Sequence, residues 1–285
     1  MKKKFLIGTI IGLVCILVFG AIYLSKKVDS KPQVAEFPSL KSGKVTIKEP
    51  LIMVPGSGGT ADSYDTMIDQ LKKDEKGVNW LKLTVDQKGK VTSQGNLHKT
   101  DKIPIVVIGF ADSSDESVPA QGQWLGNAFQ YLKKYYKFKK FNYLGHSNGG
   151  LIITYYLESH VKNGDPIPDK LMFLGAPFNG IEADENKLDN HNKLKTISSD
   201  LKPLLAAKNK LPRNIEVSNI YSNLEDDSDG IVPVESVKAG KMLYGHSREY
   251  EDHELKEKVA HAWLVENNTV FDEVETFFFQ KKLRL

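Results

Sequence analysis

Short hydrophobic runs alternate along the chain with longer segments in which hydrophobic and polar positions are mixed. The hydrophobic runs predict strands at Leu51–Val54, Trp80–Val85, Ile103–Phe110, Phe141–Leu144, Lys170–Leu174 and Val217–Ser222. The mixed segments predict helices at Ser63–Lys73, Gln121–Tyr136, Leu151–Val161 and Thr269–Gln280. Strands that alternate with helices are typical of an α/β fold, so we expect a mainly parallel sheet with helices on both faces.

The N-terminus follows a different pattern. Twenty residues from Phe5 to Leu24 carry no charge, which is long enough to cross a bilayer and longer than the core of a typical signal peptide. Lysines flank the run on both sides, at positions 2 to 4 and at positions 26, 27 and 31. The N-terminal cluster lies nearer the membrane and is inserted first, so we expect its side to stay in the cytoplasm. We therefore expect residues 1–24 to be a cytoplasmic stub and a single, uncleaved transmembrane helix. Residues 25–44 are polar and contain Pro32 and Pro38, so they predict a linker that holds a domain of residues 45–285 outside the cell membrane.

The net charge of +3 comes from this N-terminal region. The first 44 residues contain eight lysines and two acids, which leaves 31 basic and 34 acidic residues in the rest of the chain. A slightly acidic domain lacks the cationic surface that neutralises phosphates, so the sequence argues against nucleic-acid binding. Cys15 is the only cysteine and lies within the hydrophobic run, so the domain must be stabilised by its core without disulfides.

A motif with catalytic potential follows the predicted strand Phe141–Leu144. Gly145-His146-Ser147-Asn148-Gly149 fits the pattern G-x-S-x-G, and a predicted helix comes directly after it. A strand, a sharp turn and a helix are the setting in which this pattern presents a serine hydroxyl as a nucleophile. The alternative is a tight turn without chemistry, for which glycines alone would suffice. The context favours Ser147 as a nucleophile.

A serine nucleophile needs a base, and the base needs an orienting acid. In enzymes with this turn the chain order is nucleophile, acid, base, which leaves His246, His253 and His261 as candidates. His253 lies in an alternating charged run typical of an edge strand, whereas His261 precedes the last predicted helix. Asp229 follows the strand Val217–Ser222 and is the preferred acid, although the same loop holds three further acids, at positions 225 to 227.

The segment Pro55-Gly-Ser-Gly-Gly ends another predicted strand. Backbone N–H groups at such a turn can stabilise an oxyanion, and we expect the N–H groups of Ser57 and Asn148 to be the donors. A rival interpretation is a dinucleotide site, because Gly56–Ala61 also fits G-x-G-x-x-A and Asp86 closes the next strand. That interpretation leaves Ser147, Asp229 and His261 without a role.

The segment from Gly175 to Asn214 is charged and follows a predicted strand. We expect residues 179–214 to form a small cap insertion, because the leucines of this segment need a hydrophobic surface to pack against. Trp124 and Phe178 are candidates to line an acyl pocket, although core packing is the role favoured for each. No spacing of histidines or acids fits a metal site, and no cofactor is indicated.

Several stretches, taken in order, resemble the membrane-anchored cell-surface hydrolases of Gram-positive bacteria, within the alpha/beta-hydrolase superfamily. They cover most of residues 45–285 and read PGSGGTADSY, VDQKGKV, PIVVIGFADSS, GHSNGGL, GAPFNG, DGIVP and HAWLVENNTV. The resemblance implies an alpha/beta-hydrolase fold and a triad of Ser147, Asp229 and His261. Pro55 departs from the pattern, since many such hydrolases have His-Gly there.

These observations lead to one expected function and two alternatives. We expect a serine hydrolase, most simply a carboxylesterase, that acts on a small-molecule, lipid or cell-wall ester through an acyl-enzyme. The alternatives are a tethered binding module that has lost catalysis and, as a minor possibility, a dinucleotide-binding oxidoreductase. The sequence does not specify the natural substrate or the oligomeric state.

Overall fold

A computed structural model describes residues 44–279 of the chain. The expected transmembrane anchor (residues 1–24) and the expected linker up to residue 43 lie outside the described residues. Among residues 44–279, no helix is both long and hydrophobic enough to cross a membrane.

The strands are β1 Val45–Thr46, β2 Leu51–Val54, β3 Val78–Val85, β4 Val91–Gly95, β5 Ile103–Phe110, β6 Tyr136–Lys137, β7 Lys140–His146, β8 Ile167–Leu174, β9 Glu216–Tyr221 and β10 Glu249–Glu254. The α-helices are α1 Asp65–Asp74, α2 Val118–Tyr135, α3 Asn148–Ser159, α4 Leu201–Ala207, α5 Val234–Lys238, α6 Lys241–Tyr244 and α7 Asn268–Phe279.

Eight strands form the central sheet in the order β10-β9-β8-β7-β2-β5-β3-β4. Every neighbouring pair is parallel except β3 and β4, which form an antiparallel pair at one edge. The expectation of a mainly parallel sheet is therefore confirmed. The short strands β1 and β6 pair separately.

Both faces of the sheet are covered by hydrophobic side chains. In β5, Val106 and Ile108 pack into one hydrophobic cluster while Ile105 and Val107 pack into the other, as the two-residue period of a strand requires. Helices α2 and α3 contribute to the first cluster, and α1 and α7 contribute to the second. This arrangement explains why the central strands read as continuous hydrophobic runs.

The register aligns the carboxyl ends of four strands. Val54 at the end of β2 lies opposite Gly145 in β7, and His146 lies opposite Leu174 at the end of β8. Leu174 in turn pairs with Ile220 near the end of β9. The loops that follow β2, β7, β8 and β9 therefore emerge side by side, which is where parallel sheets of this kind bind ligands.

The segment between β8 and β9 is largely irregular and contains α4. Asn179 organises it: its amide Nδ2 donates to the backbone carbonyls of Glu185 and Thr196, and its Oδ1 accepts from the N–H of Ser198. Leu201 and Leu204 of α4 are buried in the core of the domain. The leucines of this insertion thus pack onto the domain itself.

Strand β10 forms the edge of the sheet opposite β4, and this confirms the expectation that His253 belongs to an edge strand. Its sequence, Glu-Tyr-Glu-Asp-His-Glu, contains four acids in six residues. His253 lies 3.2 Å from Glu273 of α7, so this histidine is engaged away from the expected active site.

Glu158 is a buried acid on α3 that forms no salt bridge with any residue in the range 44–279. Its side chain is 4% exposed, and its Oε1 has no hydrogen-bond partner among the described residues. Burial raises the pKa of Glu158 to about 7, against a smaller opposing effect of Lys210.

We predict that Glu158→Gln will stabilise the protein more at pH 8 than at pH 5. The carboxyl has a higher pKa in the folded state than in the unfolded chain, so its ionisation lowers the stability of the wild type as pH rises from about 4.5 to about 7. Glutamine does not ionise and avoids this loss. Thermal melts of both proteins at the two pH values test this, with Glu182→Gln, at an exposed position, as the control. An equal difference in Tm at pH 5 and pH 8 would contradict the prediction.

Candidate active site

Ser147 lies at a strained turn between β7 and α3. Its backbone has φ 52° and ψ −127°, a region that residues with a side chain rarely adopt. The N–H of Ser147 donates to the carbonyl of Leu174 at 2.8 Å, which fixes the turn against the end of β8. The geometry matches the strained strand-to-helix turn expected from G-x-S-x-G.

The loop after β2 packs directly against this turn, and glycine makes the approach possible. A Cβ atom on Gly56 would lie 2.5 Å from Cβ of Ser147 and 3.1 Å from its Oγ. Non-bonded carbon atoms do not approach this closely. Only glycine therefore fits at position 56 unless the loop after β2 or the turn of Ser147 shifts. The loop that contains Ser57 is thus held beside the Ser147 hydroxyl.

His261 and Asp229 form a buried pair. Nδ1 of His261 lies 2.7 Å from Oδ2 of Asp229, and the two side chains are 7% and 0% exposed. Oδ1 of the same carboxylate accepts from the N–H groups of Ile231 and Val232, which satisfies the buried acid. Because a carboxylate accepts hydrogen bonds, Nδ1 carries the proton and Nε2 of His261 is left as the basic nitrogen.

The other acids of the same loop have different roles. Asp226 accepts from the N–H and the hydroxyl of Ser228, and Asp227 has a backbone φ of 57°. Both are exposed, whereas Asp229 is 1% exposed. Of the three aspartates left open by the sequence, Asp229 is the one that contacts His261.

Neighbouring residues link the segment of His261 to the turn of Ser147. A Cβ atom on Gly175, which directly follows Leu174, would lie 3.1 Å from Nδ1 of His261 and 2.9 Å from Oδ2 of Asp229. His146, directly before Ser147, contacts the His261 backbone. The Ser147 side chain itself makes no hydrogen bond to any residue in the range 44–279.

His146 occupies a variable position of G-x-S-x-G, to which the sequence pattern gives no role. Its Nε2 donates to the carbonyl of His261 at 3.1 Å, and the two imidazole rings lie 4.7 Å apart. Burial and, to a lesser extent, the nearby His261 lower the pKa of His146 to about 3. His146 is therefore neutral at physiological pH and ties the His261 segment to the turn. The sequence feature that could have indicated this role is the histidine at the second position of G-x-S-x-G.

The two expected oxyanion donors, Ser57 and Asn148, lie together. Their side chains contact each other, with Nδ2 of Asn148 2.7 Å from Oγ of Ser57. Neither backbone N–H donates to an acceptor in the described part of the chain, so both are available to a ligand. Both side chains also bind Asp115, a residue that sequence analysis did not single out.

A cavity of about 180 Å³ opens beside Asn148. Four segments line it: the loop after β5, the start of α2, the helix α3 and the segment after β8. The lining residues are Asp115, Val118, Pro119, Asn148, Leu151, Tyr155, Pro177, Gly180, Ile181 and Asp200. The expected pocket residues Trp124 and Phe178 are absent from this lining. Trp124 packs near Phe110, and Phe178 packs against Phe173, so core packing is the role that both residues have, and the proposed contact with the cavity is wrong.

The structure does not support the dinucleotide interpretation of Gly56–Ala61. In a dinucleotide fold the helix begins at the glycine-rich loop, whereas here turns occupy residues 61–64 and α1 begins at Asp65. Asp86 accepts from the N–H groups of Lys88 and Lys90 and thereby closes the turn between β3 and β4. Its carboxylate is engaged in a hairpin and not in a ribose site.

The eight-stranded sheet, the strained serine turn and the buried histidine–aspartate pair together define an alpha/beta hydrolase. The chain belongs to the family described as alpha/beta hydrolases of unknown function (DUF915), whose profile matches residues 39–281. No curated protein matches the sequence significantly.

Two solved structures share the fold at 30% sequence identity. The product of gene lin2722 from Listeria innocua aligns with a TM-score of 0.75 over 84% of this chain and 96% of that protein. A protein from Lactobacillus plantarum named as a cell surface hydrolase aligns with a TM-score of 0.72 over 83% of this chain and 94% of that protein. The resemblance to cell-surface hydrolases stated from the sequence is thereby confirmed.

We predict that Gly56→Ala will reduce any activity that depends on Ser147 by about 100-fold or more, because the new methyl group displaces either the serine or the loop beside it. Gly58→Ala is the matched control in the same loop. A Cβ at position 58 meets open space, although φ of +71° costs alanine about 1 kcal/mol of stability. Hydrolysis rates and thermal melts of both variants test this. Wild-type activity in Gly56→Ala would contradict the prediction.

Proposed function

We propose that the protein is a serine hydrolase that cleaves carboxylic esters, with Ser147 as nucleophile, His261 as base and Asp229 as the orienting acid. The observation that carries the proposal is the buried hydrogen bond between His261 and Asp229 next to the strained turn of Ser147. A buried carboxylate that fixes the proton on Nδ1 leaves Nε2 to accept a proton, which is what a serine nucleophile requires.

The proposed reaction has two halves. His261 takes the proton from the Ser147 hydroxyl as Oγ attacks the ester carbonyl, and the N–H groups of Ser57 and Asn148 stabilise the oxyanion. The carbon–oxygen bond to the alcohol then breaks, and His261 gives its proton to the departing alcohol. Water hydrolyses the acyl-Ser147 ester by the same route, which releases the acid and restores the enzyme.

The cavity beside Asn148 favours a short acyl group. Its volume of about 180 Å³ is close to that of a cavity that holds benzene, roughly 150 Å³. Hydrophobic side chains such as Val118 and Leu151 line part of it, as an acyl chain requires. Ile181 and Asp200 come from the expected cap region, so the insertion contributes a wall of the proposed substrate site.

We also propose that residues 5–24 anchor the protein and that the hydrolase domain works outside the cell membrane. Support comes from the uncharged run of twenty residues that follows an N-terminal lysine cluster. The name of the Lactobacillus plantarum relative, a cell surface hydrolase, agrees with this location. Lipid or cell-wall esters near the membrane are then within reach as substrates.

We predict that Ser147→Ala will lower kcat on p-nitrophenyl butyrate by about 10³-fold or more, because loss of a triad member removes the nucleophile. The full-length protein in detergent is the material to assay. A fluorophosphonate probe should label the wild type on Ser147 and leave the variant unlabelled. Ser247→Ala, which changes a serine just before β10, is the control and should behave as wild type. Substantial activity in Ser147→Ala, or labelling elsewhere, would refute the proposed nucleophile.

We predict that protease added to intact cells will remove residues 45–285 while a cytoplasmic marker stays whole. The lysines before Phe5 hold the N-terminus inside, so the domain after the span should be accessible from outside. Immunodetection of a C-terminal tag before and after treatment is the measurement. Complete protection of the domain would contradict the orientation, and a mature chain that begins near Ala21 would replace the anchor with a cleaved signal.

A further inference from the structure

Three polar side chains form a closed ring of hydrogen bonds beside the active site. Nδ2 of Asn148 donates to Oδ1 of Asp115 and to Oγ of Ser57, both at 2.7 Å. The Ser57 hydroxyl donates to the same Asp115 oxygen. A single carboxylate oxygen therefore holds the side chains of both residues whose N–H groups are proposed to stabilise the oxyanion.

The hydroxyl hydrogen of Ser57 is used within this ring, because it donates to Asp115. The Asn148 amide is shared between two neighbouring acceptors, Oδ1 of Asp115 and Oγ of Ser57. Both side chains are thereby held toward Asp115. The backbone N–H groups of Ser57 and Asn148 donate to no other described residue and remain free for a substrate oxygen.

Asp115 belongs to a loop that is itself well fixed. The loop follows β5, and the carbonyl of Ser113 within it accepts from the N–H of Gly58, the residue after Ser57. Asp112 accepts from Ser114 and Gln87, and these hydrogen bonds lower the pKa of Asp112 to about 2. The segments that follow β2, β5 and β7 are thus joined by the same group of hydrogen bonds.

We propose that Asp115 is a positioning residue that holds the oxyanion hole in its catalytic geometry. It aligns the loop of Ser57 with the first turn of α3, which carries Asn148, and so fixes the spacing of the two N–H groups. Asp115 does not contact the reacting atoms. The inference rests on the proposed serine esterase function and adds to it a residue from a third loop.

Two substitutions separate positioning from charge. Asp115→Ala removes the acceptor and should lower kcat by about 10- to 100-fold with little change in KM, because misplaced oxyanion donors act on the transition state. Asp115→Asn keeps an amide oxygen in place and should restore most of the lost rate. Glu116→Gln, the adjacent exposed acid, is the matched control and should retain wild-type kcat. An equal loss in Asp115→Asn and Asp115→Ala, or no loss in either, would overturn the proposal.

A second readout does not depend on turnover. Amide hydrogen exchange in full-length protein should be faster at Gly58 in Asp115→Ala than in the wild type, because the Ser57 loop loses one of its attachments to the loop after β5. Unchanged exchange at Gly58 in a folded variant would overturn the positioning role. Failure of the esterase proposal is distinct from this result, since it would appear as unaltered turnover in Ser147→Ala.

Discussion

The parallel register of β2, β7, β8 and β9 is the constraint on which the candidate site depends. It places Val54 opposite Gly145, His146 opposite Leu174, and Leu174 opposite Ile220, so four loops leave the sheet side by side. These loops lie so close together that a Cβ atom at position 56 or 175 would clash with a residue of a neighbouring loop. A shift of one strand by one residue would turn its side chains to the other face and separate the loops. Accurate pairing in the core is therefore a condition for any chemistry at this edge.

The central strands and the four long helices are predicted well from the sequence, because these elements depend on strong hydrophobic patterns. The strands β2 and β5 match their predicted bounds, and α1, α2, α3 and α7 differ by a few residues at their ends. The order of Ser147, Asp229 and His261 could also be read from the chain, because a short motif and the fold topology restrict the choices. Contact between His261 and Asp229 then follows from the position of their loops.

Features that depend on long-range contacts could not be predicted. The edge strand β4 and the short strands β1 and β6 carry no hydrophobic run, so their pairing depends on neighbours. Trp124 and Phe178 showed why a large aromatic residue near a motif is weak support for a pocket, since burial in the core satisfies it equally well. The roles of His146 and Asp115 arise from atoms that meet across distant loops, and no local pattern encodes such contacts.

The acidic edge strand β10 affects whether copies of the domain can associate through their sheets. An exposed strand edge offers unpaired backbone groups to any similar strand. Here a second copy of β10 would bring four acids against four acids, and the repulsion would oppose such pairing. Pairing of two domains through this edge is thus opposed by the four acids on each copy.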